Sequence, residues 1–202
     1  MFFSLLLQEF VYGPTIETML KNFRERIGKF YFRKEQARKT RTCKITNLEV
    51  ARRIGILYSL DDVPDYDRVS ELVTQLQHQQ KEVKALGFVK NKALVQRFLP
   101  KLSFDFFSQR DLNWFYKPIH SQVKDFIEKE FDLLIDINLE EAFPLQYIAG
   151  LSNALCRVGK FSEKSTDYYD VMIDIKPVAT PDDFIVHVRH YLTMINSNEN
   201  RP

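Results

Sequence analysis

Asp61, Asp62, Asp136 and Asn138 are the residues best placed to do chemistry. The first two follow the apolar run Ile54–Tyr58, and the other two close the run Phe131–Ile137. If those runs are parallel strands, all four lie at carboxyl ends, where open α/β sheets bind ligands. A carboxylate there can act as a general base or accept hydrogen bonds from a ligand. Asp62 is the one weak catalytic candidate, and the four together are the candidate ligand pocket. The plainer role for Asp62 is to cap the helix that follows it.

Other chemistries lack their parts. No GxGxxG or GxxxxGK[ST] occurs, so a tightly bound dinucleotide or nucleotide would have no backbone cradle. Ser152 has no GxSxG context. His187 and His190 could share a helical face, but no third metal ligand is nominated. We therefore expect no metal, no cofactor and, on balance, no enzyme. Cys43 and Cys156 are far apart, which suits reduced thiols in a cytoplasm.

A second set of residues can bind without catalysis. Between Lys21 and Arg53 the chain carries twelve Lys/Arg against three acids, a net charge of +9, whereas from Ile54 onward it is −5. Lys21, Arg24, Arg26, Lys29, Arg33, Lys34, Arg38, Lys39 and Arg41 are the candidate contacts to an anionic partner. RNA or a ribonucleoprotein is the leading expectation, because basic side chains can follow a phosphate backbone. An anionic membrane surface is the alternative, with the protein peripheral to an inner membrane. A protein partner is the third. A docked helix whose charges merely keep it soluble is the plain reading.

These residues must be positioned by an alternation of strand and helix. From Met19 to about Lys39 the chain has helical periodicity, with Leu20, Phe23, Ile27, Phe30 and Tyr31 on one face and the basic residues elsewhere. Gly28 weakens that helix by about 1 kcal/mol without stopping it. Ile54–Tyr58, Val83–Phe88, Phe131–Ile137, Cys156–Val158 and Val171–Ile175 read as strands, and a stretch around Phe104, Phe106 and Phe107 as a weaker one. Helices are expected after Asp65 (through Val69, Leu72, Val73 and Leu76), over His120–Glu130, from Pro144 and from Pro181. Such alternation predicts βαβ units and a mainly parallel sheet of five or six strands, a Rossmann-like α/β fold preceded by a basic amphipathic helix. The expected divisions are an apolar extension over 1–18, a basic arm over 19–53, the α/β domain over 54–197 and a polar tail over 198–202. The apolar run at the start is too short to span a bilayer, which needs about 20 residues. Residues 1–18 read either as a poorly ordered extension or as the product of a start assigned upstream of Met19.

Two resemblances add to this. FDLLIDINLEEAFPLQYIAGLSNALCRVGKF, with LPKLSFDFFSQRDLNWF before it and YYDVMIDI after it, resembles a small family of bacterial proteins of the Bacteroidetes type that has no assigned activity. The resemblance covers most of the chain from Met19. More distantly, FDLLIDIN and LSNALCRVGKF are similar to the N-terminal half of heptosyltransferase-type glycosyltransferases. That likeness implies a nucleotide-sugar-binding half-domain in which Asp62 matches a catalytic acid. Asp61 stands where that family has Gly, and the second domain that holds the nucleotide sugar has no counterpart. The reading that results is a non-catalytic binding or adaptor protein, with the glycosyltransferase-derived half-domain and the membrane-surface protein as alternatives.

Overall fold

The computed structural model describes residues 16–90, 101–176 and 178–195. Residues 1–15 of the apolar extension and the 198–202 tail lie outside them. Six strands, β1 (Arg53–Leu60), β2 (Glu82–Val89), β3 (Phe104–Ser108), β4 (Leu133–Asp136), β5 (Cys156–Lys160) and β6 (Val171–Ile173), form one sheet in the order β3-β2-β1-β4-β5-β6. Every pairing is parallel. This is the doubly wound order, and the direction of winding reverses between β1 and β4.

The central strands are apolar because helices cover both their faces. Ile54, Ile56 and Leu60 pack into the layer shared with α2 (Val63–His78) and α5 (Pro181–Met194). Leu57, Leu86 and Leu134 pack on the opposite face, with α3 (Ser121–Glu128) and α4 (Phe143–Leu151). Capping fixes the helix starts. Asp62 caps α2 and Thr180 caps α5, each reciprocated by an Asp three residues on, and each helix has a Pro in its first turn.

The basic segment is not a separate arm. Its helix, α1 (Ile16–Gln36), starts three residues before the expected Met19 and ends three before Lys39. It docks on the α4 side through Gly28 and Phe32, its two buried residues. Phe32 packs against Tyr147 and Tyr168, and a Cβ on Gly28 would lie 2.4 Å from the Phe115 carbonyl oxygen. Gly28 therefore sacrifices helix propensity for close approach.

Residues 37–52 then run beneath the amino ends of the strands. Lys44 N–H donates to the Leu155 carbonyl (3.0 Å), and Arg52 and Arg53 N–H both donate to Asp132 (2.8 Å each). The Asn47 amide donates to the carbonyls of Thr193 and Ile195 at the end of α5.

Candidate functional site

At the carboxyl edge, the four candidate residues divide by role. The Asp62 carboxylate accepts the Asp65 N–H (3.2 Å) as the cap of α2. Its geometry is that of the cap. Asp61 pairs with Lys90 (3.1 Å) at the rim of a cavity of about 280 Å³ between the ends of β1 and β4.

Asp136 and Asn138 form one unit with Tyr169. The Tyr169 hydroxyl donates to Asp136 (2.6 Å), as do the Asn138 N–H (3.1 Å) and its side-chain amide. Asn138 Oδ1 in turn accepts the Ser59 N–H (2.6 Å), tying β4's end to β1's. Asp136 is buried, and burial raises its pKa although the donors from Tyr169 and Asn138 oppose the shift. Burial raises the Tyr169 phenol as well, and the neighbouring Asp136 adds to it. A buried carboxyl whose oxygens are occupied by donors stabilises the strand ends more readily than it reaches a substrate. Asp136 and Asn138 also line a small chamber of about 110 Å³ with Lys160, Ser162 and Gln146.

The chamber meets a larger cleft of about 800 Å³ between α1 and the ends of β2 and β3. Glu140, Glu141, Ala142 and Gln146 line both. The turn bearing Trp114 and Tyr116 forms the cleft's outer wall. Arg24 holds that turn, donating to the Trp114 carbonyl and lying 4.6 Å over the Tyr116 ring. Sequence reasoning missed Trp114, Tyr116 and Gln146. The one available signal was a Gln in the otherwise apolar run FPLQYIAGL.

The basic residues also divide. Arg41 and Lys39 turn inward. Arg41 donates to the carbonyls of Ala154 and Leu155 and pairs with Asp170 (2.5 Å), while Lys39 donates to the Leu151 carbonyl. Burial lowers the Lys39 pKa. Lys29 pairs with Glu25 (2.9 Å), and Arg33 lies 3.6 Å from Asp167. Lys21, Arg26, Lys34 and Arg38 are exposed, and their side chains have no ion pair or hydrogen bond among the described residues.

Of the apolar face Leu20, Phe23, Ile27, Phe30 and Tyr31, Ile27 is half-buried and Tyr31 stacks on the body, while the rest turns outward. Ile16, Met19, Leu20, Phe23 and Phe30 are exposed, Phe23 by 57% and Phe30 by 64%. Ile16, Leu20, Phe23, Ile27 and Phe30 recur at alternating steps of four and three, which makes one continuous stripe. The reason is geometric. The buried contacts of α1 with the body are a glycine and one phenyl ring, and Arg24, Tyr31, Glu35 and Gln36 hold its flanks, which leaves the opposite, apolar face uncovered. Beside the stripe, Phe115 stacks on Tyr31 (4.9 Å), and Trp114, the next residue, is 55% exposed.

Among the described residues, no helix is long and apolar enough to cross a membrane, and no three His, Cys, Asp or Glu side chains gather to hold a metal ion. No curated protein matches the chain. A family model does match residues 24–195, which takes in most of the basic helix and the whole sheet. On that match the chain belongs to the family described as Family of unknown function (DUF6913).

Proposed function

We propose that the protein is a non-catalytic binding module that attaches to an anionic lipid surface through α1. The observation that carries this reading is the stripe Ile16, Met19, Leu20, Phe23 and Phe30, exposed on the side of α1 away from the body. Arg26, Arg33 and Lys34 border it. An interfacial helix has this form, with apolar side chains entering the acyl boundary and cations meeting headgroups. Each such cation adds about 1 kcal/mol near an anionic membrane.

Two other occupants fit less well. RNA would use the cations and could stack bases on Phe23 and Phe30, but it would leave Ile16, Met19 and Leu20 in water. A second copy of α1 would bring the Arg26, Arg33 and Lys34 sets together. Two of the three acids on α1 are already engaged, Glu25 with Lys29 and Glu35 with Lys117, which leaves Glu17 alone to offset them.

The test is co-sedimentation of the full chain with vesicles containing phosphatidylglycerol, compared with pure phosphatidylcholine vesicles and with filter binding of polyuridylate. Binding to the anionic vesicles that exceeds binding to neutral ones is the expected result. Binding to polyuridylate alone would return the assignment to RNA.

A further inference from the structure

We infer that the cleft beside α1 is a binding site for a nucleobase-bearing anion, a 5′-mononucleotide in its simplest form. This is independent of the lipid reading. The observation that points to a ligand is Gln146. It is 93% buried, its exposure being 7%, yet its side-chain amide makes no hydrogen bond to any described residue. It sits where the cleft meets the small polar chamber. Its amide is not sealed off as the unpaired Tyr58 and Tyr147 hydroxyls are; it opens to the cleft, where its donor and acceptor are available to something that enters. A nucleobase edge offers an adjacent donor and acceptor, the pair a Gln amide matches in bidentate fashion.

The rest of the cleft supplies what such a ligand needs. Trp114 offers a flat face and Tyr116 the face that Arg24 leaves open, and bases stack on aromatic rings whatever their identity. Tyr116 holds an unusual backbone, with φ +64° in a non-glycine residue. Asn113 enforces it. Its carbonyl accepts the Tyr116 N–H (3.1 Å), and its side chain accepts those of Phe115 (3.1 Å) and Lys117 (2.9 Å). Strain of this kind persists where the surroundings fix a functional position.

Lys21 lines the outer lip and is exposed, so it can meet a phosphate, while Glu141 at the inner lip can accept from ribose hydroxyls. The volume, about 800 Å³, is within the usual range of about 300–1,000 Å³ for small-molecule sites. No glycine-rich loop cradles the phosphate. Lys21 holds it instead, since Arg24 is committed to the Trp114 carbonyl and Lys90 to Asp61 and Glu140, and the complex exchanges readily.

Trp114 is the sole tryptophan in the chain, so its indole N–H resonance is a unique reporter at the cleft. The experiment titrates the full chain with the four common ribonucleoside 5′-monophosphates and with the four nucleosides. A saturable shift with at least one monophosphate is expected. Gln146→Leu should weaken that binding about tenfold or more, the usual worth of a bidentate base contact, with an undiminished thermal midpoint. Lys21→Glu should weaken the monophosphate and spare its nucleoside. If Gln146→Leu lowers the midpoint, the Lys21→Glu comparison decides alone, and equal loss of neither or both ligands would overturn the site. So would the absence of any saturable shift, or binding that Gln146→Leu leaves intact in a stable protein.

Discussion

Arg41 and Asp170 form an ion pair of 2.5 Å with both side chains largely buried, joining the basic segment to the residue that precedes β6. Asp170 also accepts the backbone N–H of Arg157 (2.8 Å) and lies 3.4 Å from its guanidinium. Arg41 Nη1 donates to the carbonyls of Ala154 (2.8 Å) and Leu155 (2.9 Å). The most basic stretch of the chain is thereby fastened into the α/β body.

Arg41→Ala should accordingly destabilise the protein by about 2–3 kcal/mol. Breaking a buried pair costs about 3–5 kcal/mol, and Arg157 remains as a second partner for Asp170. Arg38→Ala, on the surface, should cost less than about 0.5 kcal/mol. Urea unfolding of the two variants checks both values. Equal, small effects would mean that residues 37–52 are not part of the cooperative fold.

Gly28→Ala should also destabilise, against the helix-propensity gain of about 1 kcal/mol. The added Cβ would meet the Phe115 carbonyl oxygen at 2.4 Å and the Phe143 ring at 2.6 Å. Overpacking of this kind costs about 1–3 kcal/mol, and the first obstacle is backbone, which cannot rotate away. Thermal unfolding should show a lower midpoint. A raised midpoint would place α1 further from α4 than the close approach requires.

Acid stability should depend on Asp170 and Asp136 with opposite signs. Burial pushes the Asp170 carboxyl up, but hydrogen bonds from Arg41 and Arg157 outweigh it and hold the pKa below the usual value. Its stabilisation is therefore present above the unfolded value, about 3.9, and disappears as pH falls through the lower folded value. Asp136 is raised, so its contribution is fullest below about 3.9 and disappears as pH rises through the folded value. In denaturant unfolding across an acid pH series, Asp170→Asn should flatten the loss of stability at the acid end. Asp136→Asn should flatten the loss on the rising side. Curves parallel to the parent in both variants would contradict these assignments.

Much of the fold is legible in the sequence because β1, β2 and β4 are covered on both faces and read as apolar runs, broken in β2 only by Lys84. The edge strands are harder. β3 shows only as the weak alternation of Phe104, Phe106 and Phe107, and the reading Val171–Ile175 overruns β6, which ends at Ile173. Asp136 and Asn138 are visible because they end a strong strand, and Asp62 because Asp before a Pro-containing helix start signals a cap. The docking face of α1 is not legible. A helix of 21 residues carries enough apolar side chains for two faces, and periodicity alone does not say which one the body covers. Gln146 shows only as one polar residue in an apolar run, since all nine residues of α4 are buried and the pattern does not say where its amide opens.

The measurement that tests the central claim most directly is vesicle co-sedimentation of the Phe23→Ser/Phe30→Ser variant, with its thermal midpoint recorded alongside. Both rings are more than half exposed, so the midpoint should stay near the parent's. Binding to phosphatidylglycerol vesicles should fall at least about tenfold, because burying a phenyl ring contributes about 1.5–3 kcal/mol. Unaltered vesicle binding in the folded variant would contradict the account, and so would a parent protein that ignores anionic vesicles altogether.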